Sequence, residues 1–307
     1  MLEPEPVSDP LTDETRAVIA ELNNTHRLKL TLHSRCDSGV QSGAWLVVDE
    51  QQRPAVLKWS RDGSESDLRK LAVVVERMRG RGYPTPAWLA IGSTSAGSTY
   101  HLQEFASGGQ SWPLTIAAAH LFIDVLERQA GLDPDPARDR SAEISAAVVD
   151  ESVGGLRYTV RQLGPSGTEL IARYDRLLAS YGVVDLPRGD MVHGDFNTCN
   201  ILLDRGAVSA VIDIEELGSG TRVIDYGCLL REAYVAHYDP EVRVLVRRAG
   251  EAVAGPGALA VCVAAAAFFI VGFKRRYQPE VVMDTVEALL RLADDLAEPL
   301  DSGRGSA

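Results

Sequence analysis

Residues 191–227 read MVHGDFNTCNILLDRGAVSAVIDIEELGSGTRVIDYG. The stretch alternates strand-like and loop-like runs, and its polar groups fall in the loops at fixed offsets. Asp195 stands two residues after His193, Asn200 five after Asp195, and Asp213 thirteen after Asn200, directly behind Ala210-Val211-Ile212. Phosphoryl transfer asks little covalent chemistry of a protein. It needs one carboxylate to orient and deprotonate a hydroxyl, and an amide oxygen plus a second carboxylate to hold Mg²⁺ on nucleotide phosphates. A single Asp or Asn in a loop is ordinarily a turn former or a helix cap. It is the combination that argues for chemistry: His-Gly-Asp-x4-Asn followed by an apolar strand ending in Asp.

These residues resemble the catalytic and metal-binding loops of the aminoglycoside phosphotransferase family, small-molecule kinases related in fold to protein kinases. The kinases of capreomycin- and viomycin-type antibiotics are one possible kind. The resemblance implies that Asp195 is the catalytic base and that Asn200 and Asp213 are the magnesium ligands. It makes His193 a brace of the loop and Asp225 the buried carboxylate that fixes the loop from behind. A helix N-cap at the start of a 225–238 segment is the alternative reading of Asp225.

A kinase needs a lysine near the end of a strand to reach the α/β-phosphates. The chain has four lysines, Lys29, Lys58, Lys70 and Lys274, among 31 basic residues. Lys58, flanked by Val56-Leu57 and Trp59, follows strand-like runs at 27–32 and 44–48 and is assigned to phosphate binding. Between those runs lies Ser34–Gly43, small and flexible enough to fold over a triphosphate, with Ser38, Gly39 and Gln41 as the contacts. No G-x-x-x-x-G-K-[ST] run occurs, so a P-loop is not supported. Kinases of this type pair the strand lysine with a helix glutamate. In the helix expected over 66–79 the place holds Leu71 or Ala72, with Glu65 and Glu76 about a turn either side, and the partner is left open. A strand running into Ser107-Gly108-Gly109 reads as a connection between lobes. The resemblance implies that backbone groups near Glu104 and Ala106 meet the purine of ATP or GTP.

With 307 residues, 45% hydrophobic and 24% charged, about two domains are expected. The strand-rich region ends near 105, and runs at 114–130, 139–151, 164–182, 225–238, 241–253, 258–277 and 280–298 have helical spacing. The expected fold class is α+β, two-lobed and protein-kinase-like. Residues 1–105 would form a β-sheet lobe with one helix, and 106–307 a mainly helical lobe. Both ends, 1–10 and 300–307, have the composition of disordered termini.

The formal net charge of −12 argues against a nucleic-acid partner and suits a cationic small molecule. Acidic contacts for it are expected among Glu215, Glu216, Glu232, Asp239 and Asp284. The acceptor would be an antibiotic, with choline, an amino alcohol, a sugar or a nucleoside as alternatives, and a catalytically inactive binding module as a third reading. The acidic N-terminus lacks a secretory pattern, and the 16-residue apolar run 258–273 is short for a bilayer. A cytoplasmic monomer or homodimer without membrane contact is therefore expected. Cys36, Cys199, Cys228 and Cys262 form no disulfide-like framework, and the six histidines show no metal spacing. Cys199, beside Asn200, reads as packing rather than as a nucleophile.

Overall fold

The computed structural model describes residues 10–36 and 43–300. The chain divides into two compact units, one running to residue 108 and taking in 209–212, the other holding 109–208 and 213 onward. The division thus falls at 108/109 rather than at 105/106, and a short piece of the later sequence joins the first unit. Ser38, Gly39 and Gln41 lie outside the described residues.

The first unit opens on α1 (Pro10–His26), an element absent from the expectations above. Its buried Thr15, Val18, Ile19 and Leu22 recur at helical spacing. The helix stops where Arg27 takes a positive φ of 55° and the Leu28 N–H reaches back to the Asn23 carbonyl at 3.0 Å. The Asn23 side chain then holds the Leu30 N–H and C=O, each at 2.9 Å. Strand β1 therefore begins at Thr31, not at Arg27, and runs to Arg35. Strands β2 (Ala44–Val48) and β3 (Pro54–Ser60) follow, then helix α2 (Glu65–Gly80), capped by the Ser64 hydroxyl. Strands β4 (Trp88–Ser93) and β5 (Thr99–Glu104) complete an antiparallel sheet of order β1-β2-β3-β5-β4.

Successive residues of a strand point to opposite faces. Trp45, Val47, Ala55 and Leu57 bury one face against Val18, Ile19 and Leu22 of α1. Lys58 consequently sits on the other face, in register with Ala44 on one side and His101 on the other. His101 stacks on Trp88, with ring centroids 4.1 Å apart. Residues 209–212 join this unit through the Val211 N–H, which donates to the Pro84 carbonyl at 2.6 Å, and the Ser209 hydroxyl, which donates to the Ser107 carbonyl.

The second unit begins with β6 (Gly109–Gln110) and helices α3 (Ile116–Glu127), α4 (Arg140–Val149), α5 (Leu156–Arg161) and α6 (Pro165–Tyr181). Next come the short strands β7 (Asp190–Val192), β8 (Ile201–Asp204), β9 (Ala207–Val211, divided between the units) and β10 (Gly218–Gly220). Helices α7 (Val223–Val235), α8 (Pro240–Tyr277) and α9 (Val282–Ala297) close the unit. α8 is two helices joined at a kink, because Gly255 has φ 85° and Pro256 follows it. The two periodic runs read in this part of the sequence correspond to its halves. By length and composition α8 could cross a membrane. Its Leu259, Val263, Ala264, Phe268 and Val271 are instead almost fully buried and form the centre of the unit. A Cβ on Gly227 would come within 3.1 Å of Cys262 and Val263, so the absent side chain lets α7 and α8 touch backbone to backbone. The short α5 escapes a periodicity test by its length. It carries the buried Arg157, whose guanidinium takes Asp175 bidentately at 2.7 and 2.8 Å and Glu151 at 2.6 Å.

Candidate active site

Strands β7 and β10 pair antiparallel, Val192 opposite Gly218, and so bring the turns that follow β7 and precede β10 side by side. Gly194, with φ 90°, sits where a Cβ would meet the Glu216 carbonyl at 3.1 Å. Asp225 lies in the first turn of α7, inside the helix rather than at its cap, which is Arg222. Its fully buried carboxylate accepts the His193 N–H at 2.7 Å and the Gly194 N–H at 2.9 Å. Burial pushes the Asp225 carboxyl up from its ordinary value, while His193 and those two N–H groups pull the other way.

His193 is buried, and its Nδ1 accepts the Asp195 N–H at 3.2 Å. After Asp195 the chain forms a 3-10 turn, Thr198–Asn200, capped by the Asn197 side chain on the Cys199 N–H at 2.9 Å. The Asp195 carbonyl accepts from the side chains of Asn197 at 3.0 Å and Asn200 at 2.8 Å. The same Asn200 amide donates to the Asp195 carboxylate at 3.2 Å. Both partners are acceptors, so the NH₂ must face them and Oδ1 must point elsewhere. Asp213 follows β9 in a left-handed backbone conformation, φ 62° and ψ 46°, and is exposed. Asp and Asn tolerate that conformation better than other side-chain-bearing residues.

The amide oxygen of Asn200 and the carboxylate of Asp213 are hard oxygen donors of the kind Mg²⁺ takes, with water and phosphate filling the remaining positions. Among the described residues no three His, Cys, Asp or Glu side chains are grouped to hold a metal by themselves. A site that shares its ion with a nucleotide requires no such group.

The residues named for an acceptor pocket are placed differently from one another. Glu232 accepts the Thr198 N–H at 3.0 Å, the Thr198 hydroxyl at 2.6 Å and the Tyr238 hydroxyl at 3.3 Å. Both its oxygens are committed to the 198–200 turn, so its place is that of a brace and not of an open pocket wall. It stands two helical turns beyond Asp225, on the same face of α7, a spacing that could have revealed the role. Glu216 is ion-paired with Arg138 at 2.7 Å and with Arg140 at 2.5 Å. Asp239 caps α8 by accepting the Glu241 N–H at 2.8 Å. Asp284 is exposed in the first turn of α9, and Glu215 is half-buried in the 3-10 turn after Asp213.

Cys199 is exposed as a residue and its carbonyl accepts from Gln110 at 2.9 Å. Packing around its sulfur, then the Glu232 and Asp195 carboxylates, push the thiol up from its ordinary value, the opposite of what a nucleophile needs.

In the first unit, the Glu65 carboxylate accepts the Ser93 hydroxyl and pairs with Arg69, while Glu76 pairs with Arg79 at 2.8 Å. The Glu104 side chain accepts the Ala87 N–H at 3.1 Å and so ties β5 to the entry of β4, and Ala106 follows in an unpaired stretch.

A β-rich unit with a strand lysine and a helical unit with an Asp–Asn loop clamped on a buried Asp are the two parts of a protein-kinase-like fold. A family model described as phosphotransferase enzyme family matches residues 33–262, and the chain belongs to that family. Among solved structures, aminoglycoside phosphotransferase APH(4)-Ia is similar at 18% identity and TM-score 0.67, over 92% of this chain and 98% of that one. The amicoumacin kinase hAmiN is similar at 14% identity and TM-score 0.58, over 93% and 95% of the two chains. The macrolide 2'-phosphotransferase MphH from Brachybacterium faecium gives 16% identity and TM-score 0.54, over 93% and 98%. At these identities the likeness is one of fold. No curated protein matches the chain.

Proposed function

We propose that the protein transfers the γ-phosphoryl group of ATP or GTP to a hydroxyl of a cationic small molecule, an antibiotic foremost, and so confers resistance to it. The observation that carries this reading is the Asn200 NH₂ turned onto Asp195, which fixes the carboxylate that would meet a hydroxyl and turns the amide oxygen away from it, toward where a cation would sit. Asp195 accepts the proton of the acceptor hydroxyl as its oxygen attacks the γ-phosphorus and the nucleoside diphosphate leaves. Asn200 Oδ1 and Asp213 would hold Mg²⁺, which when bound draws charge from the phosphate oxygens. Lys58 and the 34–43 loop take the phosphates, and backbone near Glu104 and Ala106 takes the base. His193, Asp225 and Glu232 hold the loop in shape.

Solved neighbours support the reactants. One mutant of APH(4)-Ia is a ternary complex with AMP-PNP and hygromycin B, and the amicoumacin kinase hAmiN was solved with AMP-PNP, Ca²⁺ and Ami. The net charge of −12 favours encounter with a cation. Phosphorylation would add about −1.5 to −2 charges to a polycation and weaken its hold on ribosomal RNA phosphates.

The test is mass spectrometry of cationic antibiotics and of neutral or zwitterionic metabolites after incubation with nucleotide and Mg²⁺. A gain of one phosphate, lost in Asp195→Asn, supports the reading. Nucleotide binding without transfer to any member of the panel overturns it in favour of a binding module.

A further inference from the structure

Arg231 is the most conspicuous side chain of the second unit that the proposed chemistry does not use. It is only 8% exposed, its Nε is sealed from solvent, and among the described residues that Nε has no hydrogen-bond partner and no carboxylate pairs with the guanidinium. Other buried arginines of this unit are well satisfied: Arg157 holds Asp175 and Glu151, and Arg247 holds Glu251 and the carbonyls of Asp295 and Glu298. Leaving a guanidinium buried and uncompensated is costly, and such a group implies a missing partner.

The position is specific. Arg231 lies one helical turn after Gly227, the residue that meets Cys262 and Val263 of α8 at close range, so it issues from the face of α7 turned toward α8. The adjacent residue, Glu232, holds the Thr198–Asn200 turn from the neighbouring face. Near the C-terminal end of α8, Lys274 is half-buried, its ammonium on the neutral Gln278 side chain. Burial, and next the positive charge of Arg231, pull the Lys274 ammonium below its ordinary value. Glu280 acts on Lys274 in the opposite sense but makes no ion pair with it. The 8% of Arg231 that stays exposed gives the residue an opening toward solvent.

We propose that Arg231 is an anion subsite that receives a carboxylate or phosphate of the acceptor, making the substrate a molecule with a negative group as well as its hydroxyl. This rests on the phosphotransferase reading and narrows it, since a purely polycationic acceptor has nothing to offer this residue. A planar guanidinium takes a carboxylate or phosphate through two parallel N–H bonds. An amino alcohol that also carries a carboxylate meets both this subsite and the acidic surroundings.

The test uses the full-length protein with three probes: inorganic phosphate, hydroxy acids such as serine, and the matched amides such as serinamide. Thermal unfolding of the wild type should rise by about 5 °C with a saturating hydroxy acid and stay unchanged with its amide. Arg231→Gln should lose the rise, Arg231→Lys should keep part of it, and both should still bind Mg-nucleotide. Stabilisation by phosphate alone would make this a site for an inorganic ion and overturn the acceptor assignment. No stabilisation by any anion, or equal stabilisation of Arg231→Gln, would overturn the subsite altogether. Asp195→Asn separates the two readings. If the phosphotransferase reading fails, anion binding should persist in that variant and in the wild type without any transfer. If the subsite fails, transfer should proceed with no preference for the charged member of each pair.

Discussion

The side-chain amide of Asn200 donates at once to the Asp195 carbonyl, at 2.8 Å, and to the Asp195 carboxylate, at 3.2 Å. One residue thereby sets both the shape of the loop and the direction of the carboxylate, and under the proposed function its own oxygen would meet the cation. Asn200→Ala removes all three. Transfer should fall by about 10²-fold or more, with a raised Mg²⁺ requirement, as read from initial rates across a magnesium titration. Full activity at ordinary magnesium would rule out the assigned geometry.

Glu232 offers a sharper distinction between supporting the loop and touching substrate. Its carboxylate accepts three hydrogen bonds, from the Thr198 N–H, the Thr198 hydroxyl and the Tyr238 hydroxyl. In Glu232→Gln one oxygen becomes an NH₂ donor that opposes a donor. A loss of about 1–3 kcal/mol is expected in urea unfolding, with kcat reduced. Were Glu232 an acceptor contact instead, KM would rise and stability would hold.

Acid should loosen the hold of Glu151 on Arg161 and Arg157. Glu151 is held by Arg161 and Arg157 and its pKa drops from 4.5 to about 2. A carboxyl depressed in the folded state contributes stability that is complete above its unfolded value and is lost as pH falls through the folded one. The contribution should therefore fade between pH 4.5 and about 2. Glu151 is half exposed, so screening limits the effect to about 1 kcal/mol or less. Glu151→Gln should flatten the acid limb of stability against pH in urea titrations and leave stability at pH 2 unchanged.

The kink of α8 rests on backbone conformation and not on space. Gly255 has φ 85° and nothing within 4 Å of the position a Cβ would take. Gly255→Ala should cost about 1–2 kcal/mol by the strain of the left-handed region alone, measured by thermal unfolding. A neutral outcome would mean that the two halves of α8 straighten without penalty.

The letters of the loop were readable before any fold was known, because His193, Asp195, Asn200 and Asp213 are bound to one another by short chain spacings. The strand carrying Lys58 and the split of α8 at Gly255-Pro256 were readable for the same reason, each being a local pattern of side-chain alternation or chain breaking. The helix α1 was legible in principle through Thr15, Val18, Ile19 and Leu22, but its polar flanks and Pro-rich approach resemble a loose terminus. Conversely, the Glu232 carboxylate looked like a pocket wall from its charge alone. Its partner Thr198 lies 34 residues earlier, beyond the reach of any periodicity.

By itself the sequence determined most of the longer helices, the strand that carries Lys58 and the residue types the chemistry would need, because propensity, alternation and motif spacing are properties of neighbours along a chain. Only the tertiary structure decided which carboxylates are open and which are already held. Asp225 clamps the loop, Glu216 answers two arginines, Glu232 props the 198–200 turn, and Arg231 is buried without a counter-charge among the described residues. The physical reason is that a charge acquires its role from what packing brings within about 4 Å of it, and packing joins residues from distant parts of the chain.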